Sequence, residues 1–248
     1  MKITLLGTGD APGTPTIGCS CPSCTDGKLS GSKSSRTRFS ILVQTEQGNV
    51  LIDTSPDMRA QLLRENVSHV DGVIWTHGHY DHYGGFAEFY RVQRDVSVYG
   101  VKETVDYITN IYFFISADKH YVNLHEPFSL IGLEFSLFEV KHFPEKLPVG
   151  VVISDGKHKI VISGDCEIDI PKESIDYMQN PDLFIVDAIV PEHMAVNKHM
   201  NSTQAFEMAE QIHAKKTVFT HLSHFYGAHD VECEKYPLGY DGMSFEFD

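Results

Sequence analysis

Four side chains of metal-ligating type fall within six residues at His77, His79, Asp81 and His82, in the run Thr76-His77-Gly78-His79-Tyr80-Asp81-His82. Directly before them stands Gly72–Thr76, a short apolar run that reads as a β-strand. A strand that ends in such a loop lets a rigid sheet hold side chains that must converge on one point. His77 and His79, two apart in extended chain, can face the same side and share one metal. Asp81 and His82 can then turn towards a second. Imidazole and carboxylate together suit zinc, manganese or iron better than magnesium or calcium.

Two metals need more ligands than this loop offers. His142 follows an expected strand at Leu133–Val140, Asp165 follows one at His158–Ser163, and His221 follows one at Thr217–Thr220. Each stands where His77 stands, just past an apolar strand. Further strands are expected at Lys2–Leu6, Phe39–Thr45, Asn49–Asp53, Val96–Tyr99 and Val149–Ser154, with turns at Glu46-Gln47-Gly48 and Asp155-Gly156. Helical patterns cover Pro56–Glu65, the stretch around His82–Val92, and Ser202–His213. Asn201 with Gln204 predicts a capping box at the start of the last. Strand-rich halves carrying helices predict two face-to-face sheets with helices outside.

Composition limits the partners. The 248-residue chain is 42% hydrophobic and carries a formal charge of -14, from 34 acidic and 20 basic residues. Such a surface repels polyanions, so a stable nucleic-acid partner is not expected, whereas a small phosphorylated substrate would respond to the metals nearby. The apolar run after Met1 is too short for a signal peptide, and no stretch approaches the roughly 20 apolar residues of a membrane span. A cytoplasmic protein is expected, with no membrane partner. Three of the five cysteines crowd at Cys19, Cys21 and Cys24, which is not a disulfide framework.

The His-x-His-x-Asp-His run, the later His, the Gly164-Asp165 after a strand and the Thr220-His221 pair resemble the metallo-β-lactamase superfamily. That resemblance implies an α/β (α+β) fold, the αβ/βα four-layer sandwich, over a single domain spanning 1–248. It also implies that His77, His79 and His142 hold one metal, that Asp81, His82 and His221 hold the other, and that Asp165 bridges them. Gly18-Cys19-Ser20-Cys21-Pro22-Ser23-Cys24, Thr220-His221-Leu222-Ser223-His224 and Gly239-Tyr240-Asp241-Gly242-Met243 are similar to the phosphoribosyl cyclic phosphate phosphodiesterases of bacterial phosphonate breakdown. By that likeness Cys19, Cys21, Cys24 and His224 hold a structural zinc, making a zinc loop near 18–25. A Cys₃His set is a common closed tetrahedral zinc site, which agrees.

Two divalent metals, zinc or manganese, can share a hydroxide and lower its pKa towards neutrality for attack on phosphorus. Catalysis is expected to rest on Asp81 and on His199, which matches the family position of the general acid; His193 is the competing candidate. Imidazole suits that role because it ordinarily titrates at about 6.5. Lys146, Arg36 and Arg38 are candidate phosphate contacts. The stretch Phe143-Pro144-Glu145 before Lys146-Leu147 is longer than in the family pattern. The expected function is thus a phosphodiesterase opening a cyclic diester of a small sugar phosphate or nucleotide, and a homodimer is expected by analogy. The alternatives are a thioester or lactone hydrolase, a tRNA 3'-processing endonuclease, and a non-catalytic protein like one of the pyrroloquinoline quinone pathway.

Overall fold

A computed structural model describes all residues, 1–248. The first six strands are β1 (Lys2–Gly7), β2 (Ser40–Thr45), β3 (Gly48–Ile52), β4 (Gly72–Ile74), β5 (Val96–Gly100) and β6 (Ala117–Tyr121). The next six are β7 (Phe128–Leu130), β8 (Leu133–Glu139), β9 (Val149–Ser154), β10 (Lys159–Ile162), β11 (Leu183–Asp187) and β12 (Thr217–Thr220). Each half makes one mixed sheet, and β13 (Ser244–Glu246) returns to pair with β1 at the edge of the first. The first sheet runs β13-β1-β2-β3-β4-β5-β6, and the second runs β12-β11-β10-β9-β8-β7.

Alternation along the strands decides the layers. Ile41, Val43, Val50 and Ile52 of the first sheet meet Val151, Ile153, Ile160, Ile162 and Ile185 of the second in one buried core. The residues between them point the other way. Leu42 and Leu51 join Trp75, Phe86 and Ile108 under the helices on one side, and Val161, Phe184 and Val186 join Met208 and Ile212 on the other. Both faces of both sheets are covered, the arrangement of the metallo-β-lactamase sandwich. No helix is long and apolar enough to cross a membrane.

The helices are α1 (Pro22–Asp26), α2 (Met58–Arg64), α3 (Tyr80–Tyr83), α4 (Phe89–Val92), α5 (Lys102–Ile111), α6 (Lys172–Met178), α7 (Ser202–Gln211) and α8 (His229–Glu232). The capping box is present: Asn201 accepts from the Gln204 backbone at 3.0 Å, and the Gln204 side chain accepts from the Asn201 backbone at 3.0 Å. The expected helix over His82–Val92 is broken instead, with a 3₁₀ stretch at Gly84–Glu88 between α3 and α4. The chain leaves the helical ladder here because the His82 carbonyl accepts from the Thr54 backbone at 2.7 Å and the Gly85 backbone donates to the Thr54 carbonyl at 2.9 Å. The approach is so close that a Cβ on Gly85 would lie 2.0 Å from the Ser55 carbonyl oxygen. Strands β6, β7, β11 and β13 were not anticipated from sequence.

Arg36 is no phosphate contact, contrary to the sequence expectation. Its side chain is buried, and Nη2 donates to His229 Nδ1 at 3.1 Å, so the imidazole must be neutral to accept. Burial and the Arg36 charge lower the His229 pKa from the usual 6.5 to about 4. The folded protein therefore holds this proton less readily than the unfolded chain. Its contribution is complete above pH 6.5 and is lost as pH falls towards 4. We expect about 2–3 kcal/mol of pH-dependent stability from it. Urea unfolding at neutral pH and near pH 4 should show that loss shrinking in His229→Gln; equal losses in both proteins would refute the assignment. Arg38 is engaged too, paired with Asp57 at 2.9 Å.

Candidate metal centre

Every proposed ligand of the centre is delivered from the end of a strand, and the strand ends lie along one edge of the sandwich. His77, His79, Asp81 and His82 follow β4, His142 follows β8, Asp165 follows β10, and His221 follows β12 directly. The donor atoms of His77, His79, His142 and Asp165 lie within 4.8 Å of one another, as do those of Asp81, His82, Asp165 and His221. Asp165 belongs to both groups. Its Oδ2 lies 3.2 Å from Nε2 of His82 and of His221, and 3.8 Å and 3.9 Å from Nε2 of His77 and His142. His79 presents Nδ1, 3.0 Å from His142 Nε2.

The electrostatics suit cations. Nε2 of His77, His82 and His221 are buried without a hydrogen-bond partner, a costly state for groups that a metal would satisfy. Burial lowers the pKa of His77, His79 and His142, keeping these imidazoles neutral as ligands must be. Burial acts the same way on His82 and His221, yet the carboxylates outweigh it. Asp165, Asp81 and Asp53 hold His82 well above its ordinary range, and Asp165 and Asp81 raise His221 to about 9. Burial would raise Asp165, but His221 and His82 hold it far below the usual carboxylate range. Anions concentrated among buried imidazoles make a binuclear-type metal site, and this donor set fits two divalent cations.

The outer nitrogens of two ligands are held by hydrogen bonds. His82 Nδ1 meets Asp53 Oδ2 at 2.7 Å, and His142 Nδ1 donates to the Lys198 carbonyl at 2.9 Å. Asp187, at the end of β11, accepts from His199 Nδ1 at 2.7 Å and from the Cys166 backbone at 3.0 Å. Its other oxygen stands 3.9 Å from His221 Nδ1. The His199 ring stacks on His221 with centroids 4.9 Å apart and approaches His142 at 4.7 Å. His193 is exposed on the surface.

Sequence reasoning missed Asp53 and Asp187. Asp53 stood at the end of an expected strand, a signal that could have found it. Asp187 ended a strand that had not been recognised. Cys166 is buried outside both metal sets, and Cys233 is exposed.

The second set is also assembled. Cys19 Sγ and Cys21 Sγ each lie 3.4 Å from His224 Nδ1, and Cys24 Sγ accepts from the Thr16 backbone at 3.3 Å. Zinc bonds of ordinary length would set tetrahedral S···N edges of about 3.5 Å. The Cys₃His cluster is consistent with a structural zinc. Because His224 follows His221 by three residues, it ties the N-terminal loop to the edge of the binuclear site.

Comparisons with known proteins agree with this geometry. The chain is 29% identical over 263 residues to an octanoyltransferase of Porphyromonas gingivalis, an alignment covering 98% of this chain and 51% of that protein. It spans only 51–63% of the length of the curated relatives it matches. A solved diphosphatase of the PhnP family is 30% identical, with TM-score 0.87 over 100% of this chain and 98% of that one. The Zn(2+)-bound PqqB of Methylobacterium extorquens, at 19% identity, shares the fold with TM-score 0.83 over the whole of both chains. A family profile described as the Beta-lactamase superfamily domain matches residues 48–222, and with that match, this fold and this ligand set, the chain belongs to the metallo-β-lactamase superfamily.

Proposed function

We propose that this chain is a metal-dependent phosphodiesterase that opens a cyclic phosphodiester of a small sugar phosphate or nucleotide. The observation that carries the reading is the His199–Asp187 pair, set against the binuclear-type centre with a 2.7 Å Nδ1–Oδ2 contact. When bound, two divalent cations supply an activated water and positive charge for the phosphorus oxygens. The leaving alkoxide still needs a proton. Asp187 engages Nδ1 of His199, which leaves Nε2 as the nitrogen that can donate. The Lys198 carbonyl, one residue away, orients His142, so the proton donor and a metal ligand are positioned by the same loop.

His199→Ala should lower turnover of diesters with alkoxide leaving groups by about 10²–10⁴-fold. Turnover of a bis-nitrophenyl phosphate, whose leaving group needs no proton, should change far less. Equal losses on both substrates would remove the acid role from His199. The likeness to a diphosphatase favours a second reading, hydrolysis of a phosphoric anhydride, which uses the same groups. A panel of ribose cyclic phosphates, a generic diester, an organic diphosphate and a nitrophenyl ester separates these readings. Carbonyl ester cleavage without phosphoryl cleavage would overturn both phosphoryl assignments.

A further inference from the structure

The loop from Phe143 to Pro148 follows His142 directly, and it returns a carboxylate to the centre. The Glu145 backbone donates to the His142 carbonyl at 3.0 Å, which turns the chain back immediately after a proposed ligand. Its side chain then reaches across to the other ligand loop. Oε2 accepts from the Gly78 backbone at 3.3 Å, and Oε1 lies 3.6 Å from His79 Nε2. His79 aims Nδ1 at the centre, so Nε2 is its outer nitrogen. The approach is close enough that a Cβ on Gly78 would lie 3.2 Å from Glu145 Oε2 and 3.1 Å from Tyr107.

The other ligands show what such a position means. His82 and His142 have Nδ1 hydrogen-bonded to Asp53 and to the Lys198 carbonyl. Outer partners of this kind fix ring orientation and raise ligand basicity. His79 is the most exposed of the five imidazoles, with 31% of its side chain open, and Glu145 is the acidic group beside its outer nitrogen. The same carboxylate forms part of the wall of a hollow of about 430 Å³ with Tyr107, Thr104 and Lys146.

We propose that Glu145 is a positioning residue for the metal held by His77, His79 and His142, clamping His79 in its ligating orientation across the two loops. This rests on the binuclear-metal reading but not on the choice of substrate. The test is competition of the metal-free protein against a chromophoric chelator during titration with Zn²⁺. Glu145→Ala should weaken one of the two binding events at the His/Asp centre by about 10–100-fold. The other event, and the one at the Cys₃His cluster, should keep wild-type affinity. Glu145→Gln keeps an acceptor for Gly78 and for a His79 N–H, and should recover most of the loss. Unchanged affinity in Glu145→Ala would overturn the proposal, and so would equal weakening of all three events, which marks a general structural defect. Because the readout is affinity, a protein that binds normally yet cleaves no diester would sink the phosphodiesterase reading and leave the clamp standing.

Discussion

Replacing Asp165 with alanine should empty both halves of the His/Asp centre together. Its Oδ2 lies within 3.9 Å of Nε2 on four imidazoles, 3.2 Å from two of them. It is buried, and it supplies the charge that the two groups of donors share. Loss of an outer hydrogen-bond partner costs metal sites about 10–100-fold, so loss of a shared ligand should exceed that in both affinity and turnover. Metal analysis should read about three metals per chain in the wild type and about one in the variant, the remainder being the Cys₃His zinc. Asp165→Asn separates charge from shape, because it keeps the volume and removes the anion. A variant that still holds both metals would show that Asp165 does not bridge.

The second large effect is expected at the other cluster. With a structural zinc on the Cys₃His cluster, Cys24→Ser should release it and lower stability by roughly 3–5 kcal/mol, the upper range for a single substitution. For a chain of this size that is on the order of 10 °C in melting temperature. Cys24 is buried, and burial raises its thiol to about 11, so without a metal this sulfur is protonated. Release should also loosen the segment around α1 and, through His224, the loop that carries His221. Calorimetric melting with metal analysis tests this. A variant with wild-type melting and unchanged zinc content would remove the structural role.

How far the site could be read in advance depended on the range over which its parts are specified. The run from His77 to His82 holds four ligand types in one loop, and strand ends elsewhere supplied His142, Asp165 and His221, all of which the fold brings together. The three clustered cysteines likewise meet His224. Local spacing carries this information because a strand has one direction and its end points to one edge. The capping box at Asn201 and the apolar runs of β2, β3, β9 and β10, set off by the turns at Glu46-Gln47-Gly48 and Asp155-Gly156, were legible for the same reason.

Other features depended on contacts between distant segments. In β11, Leu-Phe-Ile-Val-Asp is a five-residue apolar run buried on both faces, which periodicity cannot tell from a buried helical segment. Its parallel pairing with β10 and β12 makes it a strand and brings Asp187 to the metal edge. The break at Gly84-Gly85 follows from backbone hydrogen bonds to Thr54, which no local pattern announces. Arg36 had the residue type of a phosphate contact, but packing buried it against His229, 193 positions away. His199 and His193 were equivalent as residue types until Asp187 met one and solvent the other. Thus the sequence by itself determined which elements the metal centre is made from, because ligand chemistry belongs to the residue and its direction to the strand. Only the tertiary structure decided which groups orient those ligands, because orientation comes from partners that folding alone brings within hydrogen-bond distance.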